Sequence, residues 1–142
     1  MLQVKIKKLN ENAVIPHYSR EGDCAMDMYA TSVNNTKDYI EYDTSIALEI
    51  PDGYVGLIFP RSSVSNKDLL LCNSVGIVDS NYRGSIKFRF KLTESLSSVP
   101  NIYDIGDRIG QILIIPIPKI KFTEDELSET ERNTGGFGSS GI

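Results

Sequence analysis

Apolar residues recur with a period of two over much of this chain. Leu2, Val4 and Ile6 alternate with Gln3, Lys5 and Lys7. Ile46, Leu48 and Ile50 alternate with Ala47 and Glu49, and Ile86, Phe88, Phe90 and Leu92 alternate with Lys87, Arg89 and Lys91. Alternation puts one set of side chains on each face of a strand, so these segments are predicted to be half-buried strands. Residues 54–59 and 109–117 are near-continuous apolar runs, the pattern of strands covered on both faces. Turn signals separate the runs at Pro51-Asp52-Gly53, Tyr82-Arg83-Gly84 and Ile105-Gly106-Asp107. No long stretch has helical spacing, and only a short helix is expected after Arg61, around residues 63–67. Pro116 and Pro118 cannot donate to a ladder, so their strand is predicted to be an edge or to run out of its sheet. The pattern reads as an all-β sandwich, barrel or jelly roll.

The 142 residues suit one domain, and a 40% hydrophobic share gives ordinary globular composition. The pattern changes after Lys119. TEDELSETE holds five acids in nine residues, and RNTGGFGSSGI holds four glycines in eleven. We therefore divide the chain into a β-barrel of residues 1–122 and an acidic linker with a Gly/Ser-rich arm, residues 123–142. The formal net charge of −4 counts against binding duplex nucleic acid. No apolar run approaches the roughly 18 residues of a membrane span, and the N-terminus lacks the apolar stretch of a secretory signal. Cys24 and Cys72 are expected to be free, buried thiols of a reducing compartment, which points to the cytoplasm, the nucleus or the host cell of a virus or phage. His17 is the single histidine, is expected on a surface loop, and leaves little for a zinc site or a histidine-based triad.

The candidate chemistry lies in turns. Of the six arginines, Arg61, Arg83 and Arg108 sit directly beside Ser, Gly or Asp in predicted turns, and Arg132 opens the Gly/Ser-rich stretch. Pro60-Arg61-Ser62-Ser63 offers a guanidinium, two hydroxyls and backbone donors, groups that suit a polyphosphate as well as an ordinary surface turn. Asp27 in CAMDMYA and Asp79 in GIVDSNYRG follow apolar residues, where each could hold a metal, take a proton from water or cap a turn. Tyr82 and Phe137 are placed to stack on a sugar and a base, or to anchor the chain.

Five segments occur in order: AMDMYA, PRSSVS, NSVGIVDSNYRG, GDRIGQIL and RNTGGFGSSG. Together they closely resemble the five motifs of the trimeric dUTP pyrophosphatases (dUTPases), over about residues 25–141. The resemblance implies a distorted all-β jelly roll, a homotrimer with sites at subunit contacts, and a mobile C-terminal arm closing over a neighbour's site. It implies Mg²⁺-dependent hydrolysis of dUTP to dUMP and pyrophosphate, removing dUTP and supplying dUMP for dTTP synthesis. By the same resemblance Asp79 is the general base and Asp27 the residue that holds Mg²⁺ through water. Arg61, Ser62, Ser63 and Gln111 would line the phosphates. Asn73 would read uracil, the backbone of Gly76, Ile77 and Val78 would line the base and sugar pocket, and Tyr82 would exclude a 2′-hydroxyl. Lys87 aligns with a less regular substrate contact. Arg132 would clamp the γ-phosphate, Phe137 would cover the base, and Gly138, Ser139 and Ser140 would add phosphate contacts. Asp107 and Arg108 are expected to pair structurally. Four positions depart from the usual motifs: Ala25, Ser63 and Asn133 each stand where Gly is usual, and Gly110 where Ala is usual. Ser63 is similar to the related dCTP deaminases, which makes that activity the alternative within the fold. A trimeric regulatory binding protein is the alternative outside catalysis.

Overall fold

The computed structural model of the protein describes residues 1–94 and 98–136. Ten strands lie in them: β1 (Lys5–Lys8), β2 (Met26–Tyr29), β3 (Ser32–Asn35), β4 (Ile40–Asp43), β5 (Ile46–Glu49), β6 (Tyr54–Phe59), β7 (Leu69–Leu71), β8 (Gly76–Val78), β9 (Lys87–Leu92) and β10 (Arg108–Pro116). The one helical element among the described residues is a 3₁₀ turn, Ser62–Asn66, where the sequence predicted a short helix. Among the described residues no helix is long and apolar enough to cross a membrane.

All pairings are antiparallel. One four-stranded sheet has the order β2-β10-β6-β8, the other β3-β4-β9-β7, and β1 pairs with β5 in a two-stranded ribbon. This is the all-β architecture expected. The core fills the space between the sheets. Ile86, Phe88 and Phe90 are buried with Tyr42, Met28, Ile109 and Ile112. The ring of Tyr42 meets Phe90 edge-on at 5.9 Å, and its hydroxyl donates to the carbonyl of Tyr103 at 2.8 Å. Burial pushes the Tyr42 phenol up to about 12.

The sheets approach closely at Gly110 on β10, which faces Phe88 on β9. A Cβ there would fall inside the Phe88 ring. The departure from the usual alanine is therefore half of a pair: a large aromatic on β9 occupies the space that a methyl on β10 would take. Two other glycines, Gly53 and Gly106, have φ of 83° and 92° and turn the chain at two of the predicted turns.

Several expectations need correction. β10 is not an edge strand, since it lies between β2 and β6. Its pairing with β2 stops at Ile112, however, so Pro116 closes a segment bonded on one side only. The chain then leaves the sheet, and the described residues after Pro116 form no further strand. The runs in β6 and β10 are not fully covered either: Tyr54, Leu57, Phe59, Leu113 and Ile115 are half-buried. The alternation fails at Leu92, which is 52% exposed, and at Ile6 on β1, which pairs with β5 in the two-stranded ribbon and stays exposed. Both cysteines are free but exposed. Each lies in a chain crossing or loop rather than in a strand facing the core. His17 is exposed as expected.

Gly110→Ala is expected to destabilise the fold by about 1–3 kcal/mol through overpacking. Adding Phe88→Leu should recover part of that loss. A double-mutant cycle by thermal or urea unfolding measures the coupling, and additive effects would remove the pairing argument.

Candidate functional site

β7 belongs to one sheet and β8 to the other, so residues 72–75 carry the chain across. Ser74 makes the crossing in the left-handed region, at φ 58°. The crossing leaves a cleft of about 500 Å³ between the sheets. It is lined by Asn73, Gly76, Ile77, Val78 and Tyr82, all predicted at a base and sugar pocket, by Asp79, predicted as the general base, and by Lys87. Gly76 has no room for a side chain, because a Cβ would clash with Ile58 and come within 3.2 Å of the Asn73 amide nitrogen. That close approach lets the backbone itself form the wall.

Asp79 follows β8 directly. Its carbonyl accepts the Tyr82 backbone N–H at 3.1 Å, closing a tight turn. The carboxylate is exposed and makes no hydrogen bond or ion pair among the described residues. It is available to water at the rim of the cleft. The Tyr82 ring lies against Gly84, where a Cβ would strike it, and its hydroxyl donates to the Ser85 carbonyl at 3.0 Å.

A second cleft, of about 580 Å³, is polar. The sheet register builds it: Gln111 on β10 is opposite Asp27 on β2 and opposite Phe59 on β6. Arg61 emerges just past β6, so three adjacent strands deliver a carboxylate, an amide and a guanidinium to one spot. Arg61 Nε donates to Asp27 Oδ1 at 2.7 Å, and Arg108 donates to Oδ2 at 3.2 Å. Asp27 is only 14% exposed, so the two cations offset its desolvation. Arg108 thus pairs within its own chain, as expected, and its partner is Asp27. Gln111 donates to the Pro60 carbonyl at 3.0 Å, which holds the turn ahead of Arg61. Ser62 lines this cleft; Ser63 does not, but its hydroxyl accepts Arg61 at 3.3 Å. The serine in place of glycine therefore steers the guanidinium.

The predicted residues are brought together in two groups rather than one. Arg132 joins neither cleft; its Nε donates to the Gly135 carbonyl at 2.8 Å within the arm. Asn133 has φ 41°, a conformation that Asn tolerates better than most residues, which accounts for it where glycine is usual. Phe137, Gly138, Ser139 and Ser140 lie outside the described residues.

Sequence reasoning missed a charged network beside the first cleft. Lys87 is not free: its ammonium bonds Glu41 at 2.9 Å and lies 3.7 Å from Asp43. Arg89 bonds the other Glu41 oxygen at 2.7 Å, and its guanidinium sits 4.5 Å over the Tyr39 ring. Glu41 is buried, while its cations reach solvent. Hydrogen bonding by Lys87 draws the Glu41 carboxyl below its ordinary value, outweighing burial, which pushes the other way; Arg89 adds to the lowering. The alternation of IEYD against KFRFK carried the signal, because opposite charges face each other across β4 and β9.

No cluster of three or more His, Cys, Asp or Glu side chains able to hold a metal occurs among the described residues. The second cleft fits a different mode. One carboxylate, with about four acceptor positions and two of them taken, can still hold a water. A hard cation that keeps its waters and takes phosphate oxygens needs no more from the protein.

Comparison with known proteins follows this geometry. A family model described as dUTPase matches residues 11–141. A deoxyuridine 5′-triphosphate nucleotidohydrolase from Hydrogenobaculum is 36% identical, with 99% of each chain covered. One from Wolbachia pipientis is 38% identical over 99% of this chain and 96% of its own. Among solved structures, a mutant dUTPase of Staphylococcus bacteriophage 80alpha with dUpNHpp superposes at a TM-score of 0.79, with 28% identity and full coverage of both chains. A dUTPase of S. aureus phage phi11, described with a structural Mg(II) ion, gives 0.72 at 26% identity over 89% of this chain and 98% of its own.

Glu41→Gln tests the network through linkage. A carboxyl whose folded value is depressed adds stability above its unfolded value, about 4.3, and loses that contribution as pH falls through the folded value. The variant should show a lower urea midpoint than wild type at pH 7, and the gap should shrink as pH falls below the unfolded value and through the lowered folded one. A gap that does not change with pH would show that the lowered carboxyl is not what stabilises the fold.

Proposed function

Because the chain belongs to the dUTPase family, we propose that it hydrolyses dUTP to dUMP and pyrophosphate, removing dUTP and supplying dUMP for dTTP synthesis. The observation that carries this reading is the unpaired Asp79 carboxylate at the rim of a cleft lined by Asn73 and Tyr82.

In this reading Asn73 and the backbone of Gly76, Ile77 and Val78 receive the uracil, and the Tyr82 ring packs on the deoxyribose. Asp79 orients a water and accepts its proton as the oxygen bonds the α-phosphorus. The bond to the pyrophosphate oxygen breaks, and the proton then passes to solvent. Arg61, steered by Asp27 and Ser63, presents its guanidinium to phosphate oxygens beside Ser62 and Gln111. Asp27 would hold Mg²⁺ through a water, and the ion would supply positive charge against that developing on the phosphates. Lys87 contributes through its ties to Glu41 and Asp43, which fix β9 beneath the cleft, more than as a free cation.

The two clefts also support a homotrimer. Nucleoside groups and phosphate groups sit apart on one chain, and the half-buried apolar face of β6 and β10 offers area for association. Residues 123–142 would act as an arm, with Arg132 clamping the γ-phosphate and Phe137, Gly138, Ser139 and Ser140 completing the cover. Closure of such an arm would exclude water from the reacting centre.

The direct test is product analysis with Mg²⁺ and, separately, dUTP and dCTP. dUMP and pyrophosphate from dUTP alone are expected, while ammonia from dCTP would move the chain to deamination. Asp79→Asn should keep the fold and assembly and lose turnover by about 10²-fold or more, the scale of a general base. Near-wild-type turnover would remove Asp79 from that role.

A further inference from the structure

The Tyr82 ring is exposed on one side, and Ser85 supplies the single hydrogen bond to its hydroxyl among the described residues. What holds Ser85 is therefore what holds the ring. The Ser85 hydroxyl donates to Asp43 Oδ1, which also accepts the Ser45 backbone N–H at 2.7 Å. The chain beyond Ser85 is stitched to the same turn: Thr44 Oγ1 donates to the Ile86 carbonyl at 2.8 Å, and Ile86 N–H donates to the Ile46 carbonyl at 2.9 Å.

Asp43 is itself braced. Thr31 donates to its carbonyl through both N–H, at 2.8 Å, and hydroxyl, at 3.0 Å. Thr31 and Ser45 share a further hydroxyl contact at 2.7 Å. Lys87 lies 3.7 Å from Oδ2. Thr31 thus fixes the Asp43 main chain, while the Ser45 N–H and Lys87 face its carboxylate; a carboxylate so placed orients the Ser85 hydroxyl, and Ser85 in turn presents its carbonyl to Tyr82.

We propose that Asp43 is a positioning residue for the nucleotide cleft: through Ser85 it fixes the Tyr82 ring, and so sets the preference for a deoxyribose over a ribose. The inference rests on the reading of this cleft as the nucleoside pocket. Steric rejection of a 2′-hydroxyl requires a ring that cannot swing away, since a wall that yields admits the larger sugar. Asp43 never touches the nucleotide and acts only through Ser85.

The test compares kcat/KM for dUTP and UTP in the full chain carrying Ser85→Ala, Asp43→Ala or Asp43→Asn, with thermal midpoints alongside. Asp43→Asn keeps an acceptor oxygen for both partners, so its dUTP/UTP ratio should stay within about twofold of wild type. Ser85→Ala and Asp43→Ala should each lower the ratio about tenfold, because small displacements of a positioned group carry large kinetic effects. Ser85→Ala removes only a hydroxyl and decides the matter if Asp43→Ala does not fold. A folded Ser85→Ala with an unchanged ratio would overturn the inference while leaving dUTP hydrolysis intact. Wild-type protein without dUTP turnover would overturn the reading beneath it.

Discussion

The rest of the molecule depends on the pleat of one strand. β9 sends Phe88 and Phe90 into the core on alternate residues and Lys87 and Arg89 to the opposite face. The apolar set locks the strand against Tyr42 and the neighbouring sheet, and no one-residue slip is possible without burying two cations. The charged set, fixed by that same register, meets Glu41 and Asp43 on β4, and Lys87 and Arg89 line one wall of the first cleft. Core packing and site geometry are thus two faces of one constraint.

Much of the fold was legible because it follows from period two. β5, β6, β9 and β10 stand close to where the alternation and the apolar runs put them. β1 was legible as a strand but not as a minor ribbon, since its burial depends on a partner distant in sequence. β3 was not legible: SVNN is exposed throughout and is a strand only because β4 lies beside it. β7 and β8 are three residues each, too short to show a period. The exposed cysteines have the same origin, because Cys72 sits where the chain changes sheets and no local pattern announces such a crossing.

The candidate site divides along similar lines. Asp27, Arg61, Gln111 and Asp79 were found through motifs, and strand register explains why four distant segments meet in two clefts. Lys87 came from the family resemblance alone, and its engagement with Glu41 and Asp43 gives it a different part from a free substrate contact. Asp43, Ser85 and Glu41 belong to no motif. They are visible only once β4 and β9 are placed side by side, where acid faces base.

The Gly110 and Phe88 pair has a historical consequence. Neither residue can be exchanged freely while the other stays, since alanine needs the volume that the ring fills. A lineage that acquired the phenylalanine while alanine still stood at position 110 would have passed through a strained intermediate, whereas one that acquired the glycine first would not. Once both were present, each entrenched the other. Contact across the sheets couples the two positions, although their sequence neighbours Gln111 and Lys87 line the two clefts.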